Sequence, residues 1–352
     1  MSSVEAAKSS GDFGGLIERR TRRAGDRPLI TWYDDATGQR IELSWKTFEN
    51  WVAKTANLLV DELGLEPGDR VATMLDGHWQ APVVLAACWR AGVSVVPAGA
   101  GVDGDAAAAL LAGAGCAACF VHEDLLGLVP ERFGATRPPQ ALLAVTGDLL
   151  GRGTVDLGRA LPFGRVVPGM PDDFDADADA DWRAAEALLV AGVDGDQAAG
   201  GWTQAELLEA GDDLGERLGV GDADRLQSGL DLDTTAGTLA GLVLPLLRGS
   251  GVVLERRLDT AATWRRLAQE RVALAALTGD QVRALLAAGP PGDLDLGRLR
   301  ALVCPREAGG AALLEPGGAA VVGAGEGAPG TPLKVTAFVP DAFRHRSGDA
   351  ET

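Results

Sequence analysis

The residues best suited to chemistry in this chain are few, and their spacing limits what they can do. Histidines stand at 78, 122 and 345, and cysteines at 88, 116, 119 and 304. Such ligands build a zinc site when four of them recur at short, repeated intervals. Here Cys116-Ala-Ala-Cys119 is a single CxxC with no second one to complete it, and the histidines are scattered. The segment around the two cysteines reads as a buried strand, on which positions i and i+3 face opposite sides. Both thiols are therefore expected to pack in the core and not to share a metal. Asp175, Asp177, Asp179, Asp181 and Glu186 fall at the offsets 1, 3, 5, 7 and 12 of a calcium loop. Ala180 stands where such a loop needs glycine, and Arg183 takes the ninth position. The run reads as a solvated acidic linker. No Gly-x-Ser-x-Gly elbow occurs, and no GxxxxGK[ST] loop.

Charge narrows the partners. The 352 residues carry a net charge of −18, which repels nucleic acid and anionic membranes at long range. The most apolar stretch, 81–102, is interrupted by Arg90 and Pro97 and reads as a buried helix and strand, not a membrane span. The first residues show no signal-peptide pattern, so a cytoplasmic location is expected. Only four lysines occur, and none lies between Lys54 and Lys334.

The elements that would position any site follow from periodicity. A short helix and a hairpin are expected over 13–43. Ser44 is a plausible N-cap for a long helix whose face carries Phe48, Trp51, Val52, Leu58 and Leu59 at helical spacing. A turn at Pro67-Gly-Asp69, a strand over 70–75, a helix over 79–91 and a strand over 93–97 make a parallel α/β unit. A helix near 104–113 and strands at 117–121 and 141–145 extend it. A second α/β series runs from Ala187 to Val303, and a strand-like run covers 333–339. The expected organisation is α/β, with two packed subdomains of mostly parallel sheet flanked by helices. Their bounds are 1–168 and 186–305, with an acidic linker at 169–185. A Gly/Ala-rich β-containing piece and polar tail follow at 306–352.

Three stretches carry a resemblance. Leu43-Ser-Trp45 opens the long helix, Leu65-Glu-Pro-Gly-Asp-Arg-Val-Ala72 follows it, and Ala86-Ala-Cys-Trp-Arg-Ala-Gly-Val-Ser-Val-Val-Pro97 closes the unit. In order and spacing they resemble the N-terminal part of the adenylate-forming superfamily: acyl- and aryl-CoA synthetases, luciferases and peptide-synthetase adenylation domains. The chain is most similar to a short group that lacks the family's C-terminal domain, since the sequence stops at Thr352. The resemblance extends over about 15–305. Leu188-Leu-Val190 and Gly201-Trp-Thr-Gln-Ala-Glu-Leu-Leu208 bracket the place of the family's phosphate loop.

The resemblance implies a chemistry that these residues can be tested against. Adenylation expels pyrophosphate from ATP, so backbone N–H groups, hydroxyls and a cation must hold a polyphosphate. The loop here reads Ala191-Gly-Val-Asp-Gly-Asp-Gln-Ala-Ala-Gly200. It keeps Gly192, Gly195 and Gly200, with Thr203 just beyond. It has no Ser, Thr, Lys or Arg and adds Asp194 and Asp196. A like charge at about 4 Å costs about 1 kcal/mol in water and about 4 at an effective dielectric of 20, unless Mg²⁺ intervenes. The family's histidine, expected near 230–235, is missing. So is its Tyr-Gly-x-Thr-Glu motif, because Tyr33 is the only tyrosine. Glu326 is the best stand-in for that glutamate, and Asp349 is reminiscent of the ribose-binding aspartate.

The sequence thus predicts a degenerate adenylate-forming scaffold that is non-catalytic or regulatory, with no cofactor. One alternative is an acyl- or aryl-acid adenylating ligase half that uses ATP and Mg²⁺ with a C-terminal domain in trans. In it Arg225, Arg248 or Arg306 would replace the lost lysine. Another is an interaction protein whose crevice is filled by side chains. A small carboxylic acid, a nucleotide or a protein would be the partner.

Overall fold

The computed structural model describes residues 12–75, 77–98, 113–129, 141–146, 156–175, 186–190, 200–292, 294–306, 324–325 and 335–338, and the single positions 105, 109 and 111. Helix α1, Phe13–Ala24, is capped by Asp12, whose side chain accepts the Gly15 N–H. Strands β1 (Pro28–Asp34) and β2 (Gln39–Ser44) form the expected hairpin. Ser44 then caps α2, Trp45–Asn57, by accepting the Thr47 N–H, as the sequence predicts. The last expected turn differs, because Leu58–Glu62 is a π turn.

The chain divides into two compact units. The first holds Met1–Pro28, Leu43–Glu209 and Asp231–Thr235. Its sheet is built from β3 (Arg70–Met74), β4 (Ser94–Pro97), β5 (Ala118–His122), β6 (Ala141–Val145), β7 (Leu161–Pro162), β8 (Glu186–Val190) and β9 (Gly200–Thr203), in the order β7-β6-β5-β3-β4-β8-β9. Helix α3, Ala81–Arg90, links β3 to β4. All pairs are parallel except the β8–β9 hairpin. Strands β4, β5 and β6 are buried at every position, as parallel strands covered on both faces must be. That requirement explains their unbroken apolar runs.

The second unit holds Leu29–Glu42, Ala210–Leu230 and Ala236–Thr352. After α4 (Gln204–Arg217) come β10 (Arg225–Ser228), a helix of three parts, β11 (Gly251–Glu255), α7 (Thr260–Gln269), β12 (Leu274–Ala276), α8 (Gly279–Ala288) and β13 (Ala301–Arg306). The three-part helix is α5 (Thr235–Thr238), a π turn (Leu239–Val243) and α6 (Leu244–Arg248). The sheet runs β14-β13-β12-β10-β11-β1-β2, where β14 is Ala324–Gly325, and β15 (Val335–Phe338) pairs antiparallel with β13.

Two expectations need correction and a third needs refining. Strand pairing moves 186–203 into the first sheet and the hairpin 28–44 into the second, because β8 pairs with β4 and β1 with β11. Periodicity shows a strand but not its neighbour, so the boundary at 169–185 could not be read from it. The described part of that linker is mostly exposed, as expected, but side chains of the first unit tie it down. Lys54 Nζ donates to the Pro168 and Met170 carbonyls at 3.0 and 2.6 Å, and Asn57 Nδ2 donates to those of Pro171 and Asp173. Arg90 donates to the Phe174 carbonyl. Residues 168–174 are thus strapped to α2 and α3. Finally, Cys116 precedes β5 instead of lying on it, so it and Cys119 share one apolar cluster with Met74 and Leu142. The acids Asp177, Asp179 and Asp181 and most of 104–113 lie outside the described residues.

Candidate functional site

The expected nucleotide loop is described only at its edges. Gly192, Asp194, Gly195, Asp196, Glu326 and Asp349 lie outside the described residues. Gly200 is in β9, paired with Val190. Thr203 closes β9 and starts α4. Its N–H and Oγ1 donate to Glu206 Oε2 at 2.9 and 3.0 Å, and its Oγ1 accepts the Glu206 N–H at 3.2 Å. This reciprocal pair satisfies N–H groups that a helix start leaves orphaned. Thr203 therefore has a helix-capping role.

Two of the arginines considered as replacement cations are engaged within the second unit. Arg225 bridges Glu270 at 2.7 Å and donates to Thr31 Oγ1. Arg248 bridges Asp212 at 2.8 Å. In the first unit the loop at 231–235, where the resemblance places a histidine, is tied by Thr73 Oγ1 donating to Asp233 at 3.1 Å.

The histidines correct the impression of scatter. His78 and His122 are both buried, with ring centroids 5.7 Å apart. Each Nδ1 accepts a backbone N–H, from Gln80 and from Asp124. They meet because β3 and β5 are adjacent parallel strands, and spacing in the sequence carries no sign of that. Among the described residues no group of three or more His, Cys, Asp or Glu could hold a metal ion. No described helix is long and apolar enough to cross a membrane.

The feature that sequence reasoning missed is a cavity inside the second unit. Its volume is about 40 Å³, enough for a few atoms and well below that of a typical ligand pocket. Its floor is the face of β10, β12 and β13 that carries Leu226, Leu274, Ala276 and Val303, aligned by the pairings Leu226↔Leu274 and Ala276↔Val303. Its roof comes from α4 and from the three-part helix. Gln227 and Cys304 also border it, but side chains alternate along a strand. Theirs lead to the other face, where Gln227 Nε2 donates to Glu255 at 2.9 Å and Cys304 packs near Trp264. What remains facing the cavity is aliphatic. Open α/β sheets bind ligands outside the carboxyl ends of their strands, and this cavity extends beyond that end of β10 to Leu230. Leucines and alanines at helical spacing read equally well as solid core, so no sequence pattern marks the cavity.

Comparison with known proteins bears on this geometry. Residues 17–163 match the model of the AMP-binding enzyme family. That match spans less than half of the 352 residues, and it makes this first part of the chain similar to adenylate-forming, acyl-CoA synthetase-like domains. A Mycobacterium tuberculosis family protein is 48% identical over 83 residues, covering 24% of this chain and 34% of that protein. Escherichia coli acetyl-coenzyme A synthetase is 36% identical over 76 residues, covering 22% of this chain and 12% of the enzyme. The chain thus matches only about a third, or an eighth, of these relatives' lengths. Acetoacetyl-CoA synthetase from Streptomyces lividans superposes with a TM-score of 0.72 at 18% identity, over 94% of this chain and 53% of that one. At that identity the likeness concerns the fold alone. The chain has the α/β architecture that the sequence predicts.

Proposed function

We propose that this chain supplies the acid-binding domain of a CoA-ligase-type adenylating protein. The cavity of the second unit takes the organic part of a carboxylic acid. The acid's carboxylate attacks the α-phosphorus of ATP and the bond to pyrophosphate breaks. The observation that supports this reading is the small aliphatic cavity against parallel strands, in a scaffold like those of acyl-CoA synthetases. ATP would come with Mg²⁺. The backbone of Gly192, Gly195 and Gly200 would face the phosphates, and Asp194 and Asp196 fit only if the metal lies between them and the nucleotide.

A second reading rests on that same loop. Its lack of any cation or hydroxyl favours a domain that binds the acid without activating it. Acid-dependent exchange of labelled pyrophosphate into ATP separates the two. Exchange above the no-acid control supports adenylation. Acid binding without exchange, with ATP·Mg²⁺ at millimolar concentration, rejects adenylation and leaves the binding protein.

A further inference from the structure

Strand β2 ends the sheet of the second unit: among the described residues it pairs only with β1. The direction of its backbone groups follows from its neighbours. Arg256 N–H donates to the Tyr33 carbonyl at 3.0 Å, so Tyr33 turns its backbone groups to the β11 side of β1. Thr31, two residues earlier, turns the same way. Arg40 Nε donates to Tyr33 Oη at 3.0 Å and Thr31 Oγ1 to Glu42 Oε2 at 3.3 Å, which sets Arg40 opposite Tyr33 and Glu42 opposite Thr31. These are then the hairpin pairs that exchange no backbone bonds. Arg40 and Glu42 therefore point their N–H and C=O groups away from β1, along the open edge. Their side chains lie on one face, 2.7 Å apart, and are 43% and 38% exposed.

Such an edge is a template for another strand, and proteins blunt it with charges such as lysines or cover it. Here the two charges are opposite, which makes the edge complementary to itself. Antiparallel pairing of two copies about Ile41 sets Arg40 of each against Glu42 of the other. Each opposed pair exchanges two backbone bonds, and on the shared face the side chains alternate in sign. Setting Arg40 against Arg40, or Glu42 against Glu42, keeps backbone bonds but brings like charges together. The charges thus favour one register, and it has the two-fold symmetry of a closed dimer. A strand of another protein would need the same two charges in the same order.

We propose that β2 is a homodimerisation edge, joined by antiparallel β2–β2 pairing in the register that opposes Arg40 and Glu42. This pairing does not depend on the acid-binding reading above.

The test is sedimentation equilibrium of the full chain at physiological salt, from micromolar to near-millimolar concentration. Wild type should show a monomer–dimer equilibrium. Arg40→Glu sets glutamate against glutamate at both pairs, and Glu42→Arg sets arginine against arginine. Each should weaken the dimer about tenfold or more. The double variant restores opposite charges and should return the dimer to within about threefold of wild type. An equimolar mixture of the two single variants should form a heterodimer. The single variants change the net charge of −18 in opposite directions, so general repulsion predicts that one weakens and the other strengthens association. Circular dichroism checks that each variant is folded, and Glu42→Arg carries the test should Arg40→Glu fail to fold. A wild type that stays monomeric, a dimer unchanged in the folded single variants, single variants that shift in opposite directions, or a double variant no better than the singles overturns the proposal.

Discussion

Arg266 Nη1 lies 2.8 Å from Glu255 Oε1, and both side chains are almost wholly buried in the second unit. Around them Thr263 donates to Glu255 Oε2, Asp35 meets the far side of Arg266, and the guanidinium stacks over Tyr33 at 4.5 Å. Arg266 and Asp35 come from parts of the sequence 231 residues apart, so this network pins the β1–β2 hairpin to its sheet. Burial nevertheless outweighs the arginine and raises the Glu255 pKa. The folded chain therefore holds this proton more tightly than the unfolded chain. Glu255's contribution to stability is fullest below about pH 4.5 and is lost as pH rises through the raised value. Urea unfolding of wild type and Glu255→Gln from pH 4 to 8 should show wild type losing stability relative to the variant as pH rises. A constant difference would reject the shift. Arg266→Leu should cost about 3–5 kcal/mol at pH 7, because it strands a buried carboxylate.

Gly211 tests the packing under the cavity roof. Alanine there gains up to about 1 kcal/mol of helix propensity. Its Cβ would lie 2.6 Å from Val243 Cγ1 and 2.9 Å from Leu247 Cδ1, inside a packed interface. Overpacking of this kind costs about 1–3 kcal/mol. Gly211→Ala should lower the urea midpoint, and a raised midpoint would show that the π turn yields.

These two sites show what the sequence could and could not disclose. The order of strands and helices followed from local rules, as with Ser44 capping α2 and the apolar runs of β4 to β6. Sheet membership did not, because β1 finds β11 across more than two hundred residues and no local pattern encodes that partner. The same limit hid the His78–His122 contact and the cavity, which depend on what lies opposite a residue. The phosphate loop was readable as chemistry, in the absence of cations from 191–200, while its glycines and acids stand outside the described residues.

Arg271 has φ of 52°, the only positive value among the described non-glycine residues. It follows α7, and its N–H bonds the Ala268 carbonyl at 3.1 Å while Val272 N–H bonds that of Leu267 at 3.0 Å. Glycine is the usual residue at such a helix end. Arg271→Gly should stabilise the chain by about 0.5–1 kcal/mol, read as a rise in Tm. An unchanged or lower Tm would mean that the arginine side chain stabilises by more than its backbone costs.

The cysteines should be silent in the native state. Burial pushes the Cys116 thiol up to about 12 and raises Cys88 and Cys119 further. Thiolate is the reactive form, so alkylation at pH 8 should leave these three unmodified over hours and reach all four cysteines in denaturant. Rapid native labelling of Cys116 or Cys119 would show that their shared cluster opens.

Thr203 decides between a structural and a nucleotide-binding role for the end of the loop. Its hydroxyl is engaged with Glu206 in both directions, so removing it breaks a helix cap. Such a loss costs about 1 kcal/mol. Thr203→Val keeps the β-branched shape and should destabilise the chain by that amount while leaving the ATP·Mg²⁺ dissociation constant within about twofold. Thr203→Ser keeps the oxygen and should restore most of the stability. A tenfold weaker nucleotide affinity in the valine variant, with little change in stability, would assign the hydroxyl to the phosphates instead and revive the site that the sequence placed there.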